Sequence, residues 1–86
     1  MDTYQIEWKR SAMKELEKLP RPMISRIVSA VDNLSSNPYL EGVRKLAGSE
    51  YSYRSRVGDY RVLYNIIRNR LVVEIIRVGH RKDIYR

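Results

Sequence analysis

Only two residues, Gly58 and Asp59, separate Val57 from Tyr60. The flanking segments, "YSYRSRV" and "YRVLYNII", are rich in aromatic and β-branched residues, as strands are. A loop this short makes the two segments antiparallel neighbours in a hairpin. Glycine in the first loop position suits a type II′ turn, which needs positive φ there. The turn also sets a register: Val57 opposite Tyr60, Arg56 opposite Arg61, Ser55 opposite Val62, Arg54 opposite Leu63 and Tyr53 opposite Tyr64. Alternation then gathers Arg54, Arg56 and Arg61 on one face. Tyr53, Val62, Tyr64 and Ile66 take the other.

A second tight turn, at Asn69-Arg70, leads to a third strand, Leu71 to Val78. Its expected pairs are Ile67 with Val72, Asn65 with Glu74, Tyr64 with Ile75 and Leu63 with Ile76. One face of this meander is apolar, with Val73 and Ile75 joining Tyr64 and Ile66. The opposite face is polar and strongly cationic.

The front half supplies what the apolar face needs. "TYQIEW" reads as a first strand. "SAMKELEKL" reads as a helix with Ser11 as its cap. Ala12, Leu16 and Leu19 share one face of it, while Lys14, Glu15 and Lys18 face water. "PRP" ends this helix, and Pro22 suits the first turn of the next, which runs from about Pro22 to Leu34. Ile24, Ile27, Val28, Val31 and Leu34 form its apolar stripe. "SSNPYLEGVRKLAGSE" is irregular, with loop signals at Asn37-Pro38, Gly42 and Gly48. Trp8, Tyr51, Tyr53, Tyr60 and Tyr64 are expected to be mainly structural. The order is β-α-α-β-β-β in one domain spanning residues 1–86. The expected class is α+β: an antiparallel sheet of about four strands with an N-terminal helical hairpin packed on one face.

The charge distribution narrows the function. The net charge is +7. Residues 1–43 carry six basic and six acidic residues, and residues 44–86 carry eleven and four, so the whole excess lies in the second half. Such asymmetry fits a polyanionic partner: nucleic acid, ribosome, acidic protein or membrane surface. Arg56 opposite Arg61 is a like-charge pair that opposes strand pairing. An anionic ligand gives it a reason, because the arginine fork matches phosphate. The chain has no cysteine and one histidine, which excludes a disulfide framework and Cys- or His-rich metal sites. It shows no apolar signal-peptide core and no apolar run of membrane-spanning length, so a soluble, cytoplasmic protein is expected.

No glycine-rich phosphate loop, dinucleotide fingerprint or Ser/His/Asp spacing is present. Arginines, tyrosines and one histidine remain. That set suits cleavage of RNA without a metal or other cofactor. The 2′-hydroxyl is an internal nucleophile, so a protein need only position it, stabilise charge on phosphorus and manage protons. DNA lacks that hydroxyl.

"YRSRVGDYRVLY", a final strand ending in "RVGHRKDIYR", and the front-end "YQIEW" and "KELEKLP" resemble the RelE branch of the RelE/ParE toxin superfamily over essentially the whole chain. The resemblance implies the toxin of a type II toxin–antitoxin pair that enters the ribosomal A site and cuts mRNA there. The arginine of "DYR", Arg61, then contacts the scissile phosphate. The arginine of "GHR", Arg81, stabilises charge and serves the leaving group. Tyr85 orients or stacks on the nucleotide. Two lysines common in the family are replaced here by Ser52 and Arg54. Arginine does not act as a base, which leaves the general base open. His80 is the candidate, since its unperturbed pKa suits proton transfer near neutrality.

Arg56, Arg44, Lys45 and Lys82 are candidates for RNA phosphate contact. The implied partners are a cognate antitoxin, the ribosome with its 30S A site and rRNA, and mRNA. An acidic or amphipathic antitoxin segment is expected over the basic face or the helical hairpin. Arg61 is expected on the open face, so that its replacement by alanine removes activity without unfolding the protein. Two other readings stay open: a ParE-like inhibitor of DNA gyrase, and an inactive relative that only binds its antitoxin or RNA.

Overall fold

The computed structural model describes residues 3–39, 44–45 and 53–84, with backbone alone for 44–45. The elements in chain order are β1 (Gln5–Trp8), α1 (Arg10–Glu17), α2 (Arg21–Ser36), β2 (Arg44–Lys45), β3 (Tyr53–Val57), β4 (Tyr60–Ile67), a 3₁₀ turn (Arg68–Arg70) and β5 (Val72–His80). Among the described residues the strands form one sheet, ordered β1-β5-β4-β3-β2. The class is α+β, with β-α-α-β-β-β order as expected and β2 as an added two-residue edge strand inside the segment read as irregular.

The β3–β4 hairpin follows the expected register at all five pairs. Gly58 adopts φ +60, and Asp59 is not among the residues with positive φ, so the loop has the type II′ pattern. A side chain at position 58 would be strained by that φ.

The second hairpin departs from expectation in two places. Its connection is a 3₁₀ turn closed by Leu71 in the left-handed region (φ 52), not a two-residue loop at Asn69-Arg70. Pairing runs as expected from Ile67–Val72 to Tyr64–Ile75, and then Leu63 faces Arg77 instead of Ile76. Ile76 is the extra residue of a β-bulge, and residues 76 and 77 together oppose Leu63.

The sheet is mixed, not all antiparallel. β1 joins the outer edge of β5 in parallel, Gln5 beside Val72 through Trp8 beside Ile75. Tight turns dictate pairing only between strands adjacent in sequence. The free edge of β5 is open to the one strand outside the meander, and β1 enters it with no turn to dictate its direction.

The helices cover one face. Ala12, Leu16, Ile27, Val31 and Leu34 pack with Val57, Val62, Tyr64, Val73, Ile75 and Val78, and half-buried Trp8, Tyr53 and Tyr60 pack against this cluster, in line with their structural reading. Val28 lies off the buried stripe and is exposed. α1 starts one residue earlier than expected, with Lys9 as N-cap and no side-chain cap, so Ser11 is not its cap. α2 spans Arg21–Ser36, with Pro20 preceding it and proline in its first turn.

The opposite face is not simply cationic. Leu63, Val72, Ile76 and Ile84 are buried there, outside the helix-side cluster. β5 is therefore buried on both faces, which explains its near-continuous apolar run.

Candidate active site

The arginine face closes at the Gly58-Asp59 turn. Arg56 and Arg61 are paired across β3 and β4, Arg61 pairs with Gly79, and Tyr60 pairs with His80. The end of β5, and the tail that follows it, thereby lies beside the turn. Arg81 anchors that tail: its backbone N–H donates to the Asp59 carbonyl at 2.8 Å. Its Nε lies 3.8 Å from Asp59 Oδ1, in an exposed and therefore weak ion pair.

Arg61 is the main correction to the sequence reading. It is 6% exposed, not open to solvent. Its Nη1 donates to the Gly58 carbonyl at 2.9 Å and to the Tyr60 carbonyl at 2.8 Å. Alternation assigns a residue to a face but not to a depth, and the guanidinium folds back to satisfy the carbonyls of its own turn. Arg56, by contrast, is exposed. The like-charge pair is relieved because one guanidinium is held by turn carbonyls while its neighbour reaches water. The premise that Arg61 sits on the open face is overturned, and Arg61→Ala, which removes a buried group with two hydrogen bonds, is expected to cost stability.

His80 is half-buried, with its ring edge-on to Tyr60 at 5.4 Å between centroids. The Lys82 backbone N–H donates to His80 Nδ1 at 3.1 Å. With Nδ1 accepting, the neutral ring carries its proton on Nε2. Lys82 and Arg81 are exposed, and Arg54 is half-buried on β3. The backbone register sets Arg44 beside Arg54 and Lys45 beside Tyr53. Ser52 and Tyr85 lie outside the described residues, as does Tyr51. Among the described residues no group of three or more His, Cys, Asp or Glu side chains could hold a metal ion.

Two polar residues escaped the sequence reading. Glu15 was assigned to water, yet it bonds Arg77 Nη2 and the Val78 amide, each at 3.1 Å. Arg77 in turn donates through Nη1 to the Ile84 carbonyl at 2.7 Å. The available signal was Arg77 itself, a charge in the otherwise apolar "IIRV" that needs a partner.

Residues 6–85 match the family described as the ParE toxin of the type II toxin–antitoxin system, parDE. The chain belongs to the RelE/ParE toxin superfamily. It is a RelE-type member. Toxin RelG of Mycobacterium tuberculosis is 38% identical over 87 residues, covering 96% of this chain and 97% of that protein. A putative RelE-like toxin protein of Escherichia coli is 27% identical, covering 95% and 90%. The RelE–RelB complex of Pyrococcus horikoshii contains a chain of the same fold, with TM-score 0.81 and 30% identity over 94% of this chain and 98% of that one. The RelBE2 toxin–antitoxin complex of M. tuberculosis gives TM-score 0.79 and 31% identity over 91% and 98%. Within this RelE-type fold, the turn and the tail bring Arg56, Arg61, His80 and Arg81 to one end of the sheet. Among the described residues no helix is long and apolar enough to cross a membrane.

Proposed function

We propose that this RelE-type toxin is a metal-independent endoribonuclease that cuts mRNA in the ribosomal A site and so stops translation in the cytoplasm. The observation that carries the reading is the convergence of Arg56, Arg61, His80 and Arg81 at the Gly58-Asp59 end of the sheet, with Asp59 as the nearby carboxylate.

In the reaction the 2′-oxygen of a ribose attacks the adjacent phosphorus. The 2′-O–P bond forms and the P–O5′ bond breaks, leaving a 2′,3′-cyclic phosphate and a 5′-hydroxyl. Arg61 and Arg81 stabilise the charge that grows on the phosphoryl oxygens. Arg61 acts from a nearly water-free position, where electrostatic stabilisation is stronger and needs little reorganisation. Exposed Arg81 can exchange its weak pairing with Asp59 for the phosphate. Arg54 and Arg56 hold the backbone, Arg44, Lys45, Lys82 and Ser52 add contacts to mRNA or rRNA, and Tyr85 orients the base. His80, with Nδ1 engaged, offers Nε2–H as a donor to a phosphoryl oxygen. In that tautomer His80 is not the base: the 2′-hydroxyl proton passes to another acceptor such as water, and the departing 5′-oxygen takes up a proton from solvent.

A cognate antitoxin belongs to this reading, because similar chains were solved bound to RelB. Two surfaces suit it: the basic face for an acidic segment, and the helical hairpin, where Met13 and Val28 are exposed, for an amphipathic one.

The test is primer extension on mRNA in a purified translation system, with and without ribosomes, comparing wild type with Arg81→Ala. Cuts within A-site codons that need both the ribosome and Arg81 support the reading. An intact message with wild type overturns it and favours gyrase inhibition or an inactive relative, which plasmid supercoiling with purified gyrase separates.

A further inference from the structure

β1 ends at Trp8, and the Lys9 amide makes its last bond to β5, donating to the Ile75 carbonyl at 2.9 Å. Beyond this point β5 runs on to His80 with no strand among the described residues on that edge. Glu15, on α1, takes the place of one. Its Oε1 accepts the Val78 amide, and its Oε2 accepts Arg77 Nη2. Through its other terminal nitrogen Arg77 holds the Ile84 carbonyl at 2.7 Å. One guanidinium fork thus spans a helix and the tail.

The tail is pinned twice more. The Arg81 amide bonds the Asp59 carbonyl. The Ile84 side chain is buried against Gly79, where a Cβ would meet Ile84 Cδ1 at 3.2 Å, so a larger residue at 79 would press the tail outward. Arg81 is itself at one pin, Lys82 and Asp83 lie between it and Ile84, and Tyr85 follows directly in sequence.

We propose that Glu15 and Arg77 are positioning residues: they never touch RNA, but they hold the His80–Ile84 segment so that Arg81 meets the scissile phosphate. The role rests on the endonuclease reading above. The partly exposed ion pair itself contributes little to stability. A misplacement of about 1 Å in a group that must meet a transition state costs on the order of 100-fold in rate.

The experiment measures single-turnover mRNA cleavage on programmed ribosomes by wild type, Arg77→Lys, Arg77→Met, Glu15→Gln and Glu15→Ala. Amide hydrogen exchange at residues 81–84 is measured on the same proteins. Arg77→Met and Glu15→Ala are expected to lower the rate constant about 10- to 100-fold, with the toxin concentration giving half-maximal rate changed less than about twofold. Arg77→Lys keeps the charge but cannot bridge Glu15 and Ile84, so it falls between Arg77→Met and wild type. Glu15→Gln keeps one acceptor and recovers part of the loss. Exchange at Arg81 and Ile84 rises in the same order. A merely structural role would instead lower the amplitude, through the folded fraction, and leave the rate constant unchanged. Wild-type rate constants and wild-type tail exchange in Arg77→Met overturn the proposal while the endonuclease reading stands. No cleavage by wild type overturns the endonuclease reading and, with it, the positioning role.

Discussion

The β3–β4 hairpin has two ends, and both are built from tyrosine and arginine. At the open end Tyr53 stacks on Tyr64, with ring centroids 5.7 Å apart, and Tyr39 meets Tyr53 edge-on at 5.8 Å. The Tyr64 hydroxyl donates to the Pro38 carbonyl at 2.9 Å, and Arg68 Nε donates to the Tyr39 hydroxyl at 2.9 Å. Those groups satisfy one another, Tyr64 in the core and Tyr39 with Arg68 at the surface. At the turn end Arg56, Arg61 and Arg81 come together, with Arg81 Nε 3.8 Å from the exposed Asp59 carboxylate. The same two residue types therefore make a buttress where their polar atoms are matched internally, and a candidate anion site where positive charge outnumbers its acidic partners. Residue identity does not separate the two roles; partner supply does.

Substitutions can break this contrast. Tyr64→Ala should have the largest effect, since Tyr64 is fully buried and anchors the stack. A loss of about 3–5 kcal/mol in denaturant unfolding is expected. Arg81→Ala should do the reverse. Cleavage falls on the order of 100-fold, as for a lost transition-state donor, while unfolding free energy stays within about 0.5 kcal/mol. A large stability loss in Arg81→Ala would erase the distinction between the ends.

Arg61→Ala straddles the two. Removing a buried donor to two carbonyls is expected to destabilise by about 1–3 kcal/mol, so its activity must be measured well below the midpoint of unfolding. The Tyr64 hydroxyl adds a pH test. Burial, and then its neighbours Tyr53 and Tyr39, push its pKa well above the usual tyrosine value of 10.0. In the unfolded chain it ionises near 10, while the folded chain keeps the proton. Its contribution is therefore complete below about pH 10 and is lost as pH rises beyond it. Tyr64→Phe should flatten that alkaline limb and cost about 1 kcal/mol at neutral pH for the lost bond to Pro38. Arg68→Ala should have the smallest effect, a shift in Tm below that of Tyr64→Phe, because Arg68 is exposed.

Much of this arrangement was legible in the sequence, and the parts that were not share a physical cause. The β3–β4 register was readable from Gly58-Asp59 alone, because a two-residue turn leaves one pairing. The β4–β5 register was readable only as far as Tyr64–Ile75. An inserted residue carries no compositional mark when the residue, here Ile76, is as apolar as its neighbours. The parallel docking of β1 was invisible because no turn encodes it. Arg61 was assigned to the right face at the wrong depth, since its partners are backbone carbonyls, which every residue carries. Glu15 looked like a solvent residue by helical spacing, and only the uncovered edge of β5 gives it a task. Arg54, Arg56 and His80 could be named as candidates from residue chemistry, while the hydrogen bond that selects the His80 tautomer required the fold.

The bulge at Ile76 has one more consequence, which is arithmetic. Along a strand, odd and even positions look to opposite sides. One extra residue therefore exchanges the sides of everything that follows. Pair Ile76 regularly with Leu63, with no bulge, and Arg77 would be driven into the apolar layer beside Val62, with Val78 turned out beside Arg61. The bulge thus resets the parity between Ile75 and the tail, which is what keeps Val78 on the helix side. Loops elsewhere can lengthen or shorten freely; here deleting Ile76 would straighten the strand and still leave Val78 opposite Val62, whereas closing the bulge with Ile76 kept in the ladder would turn the end of β5 inside out.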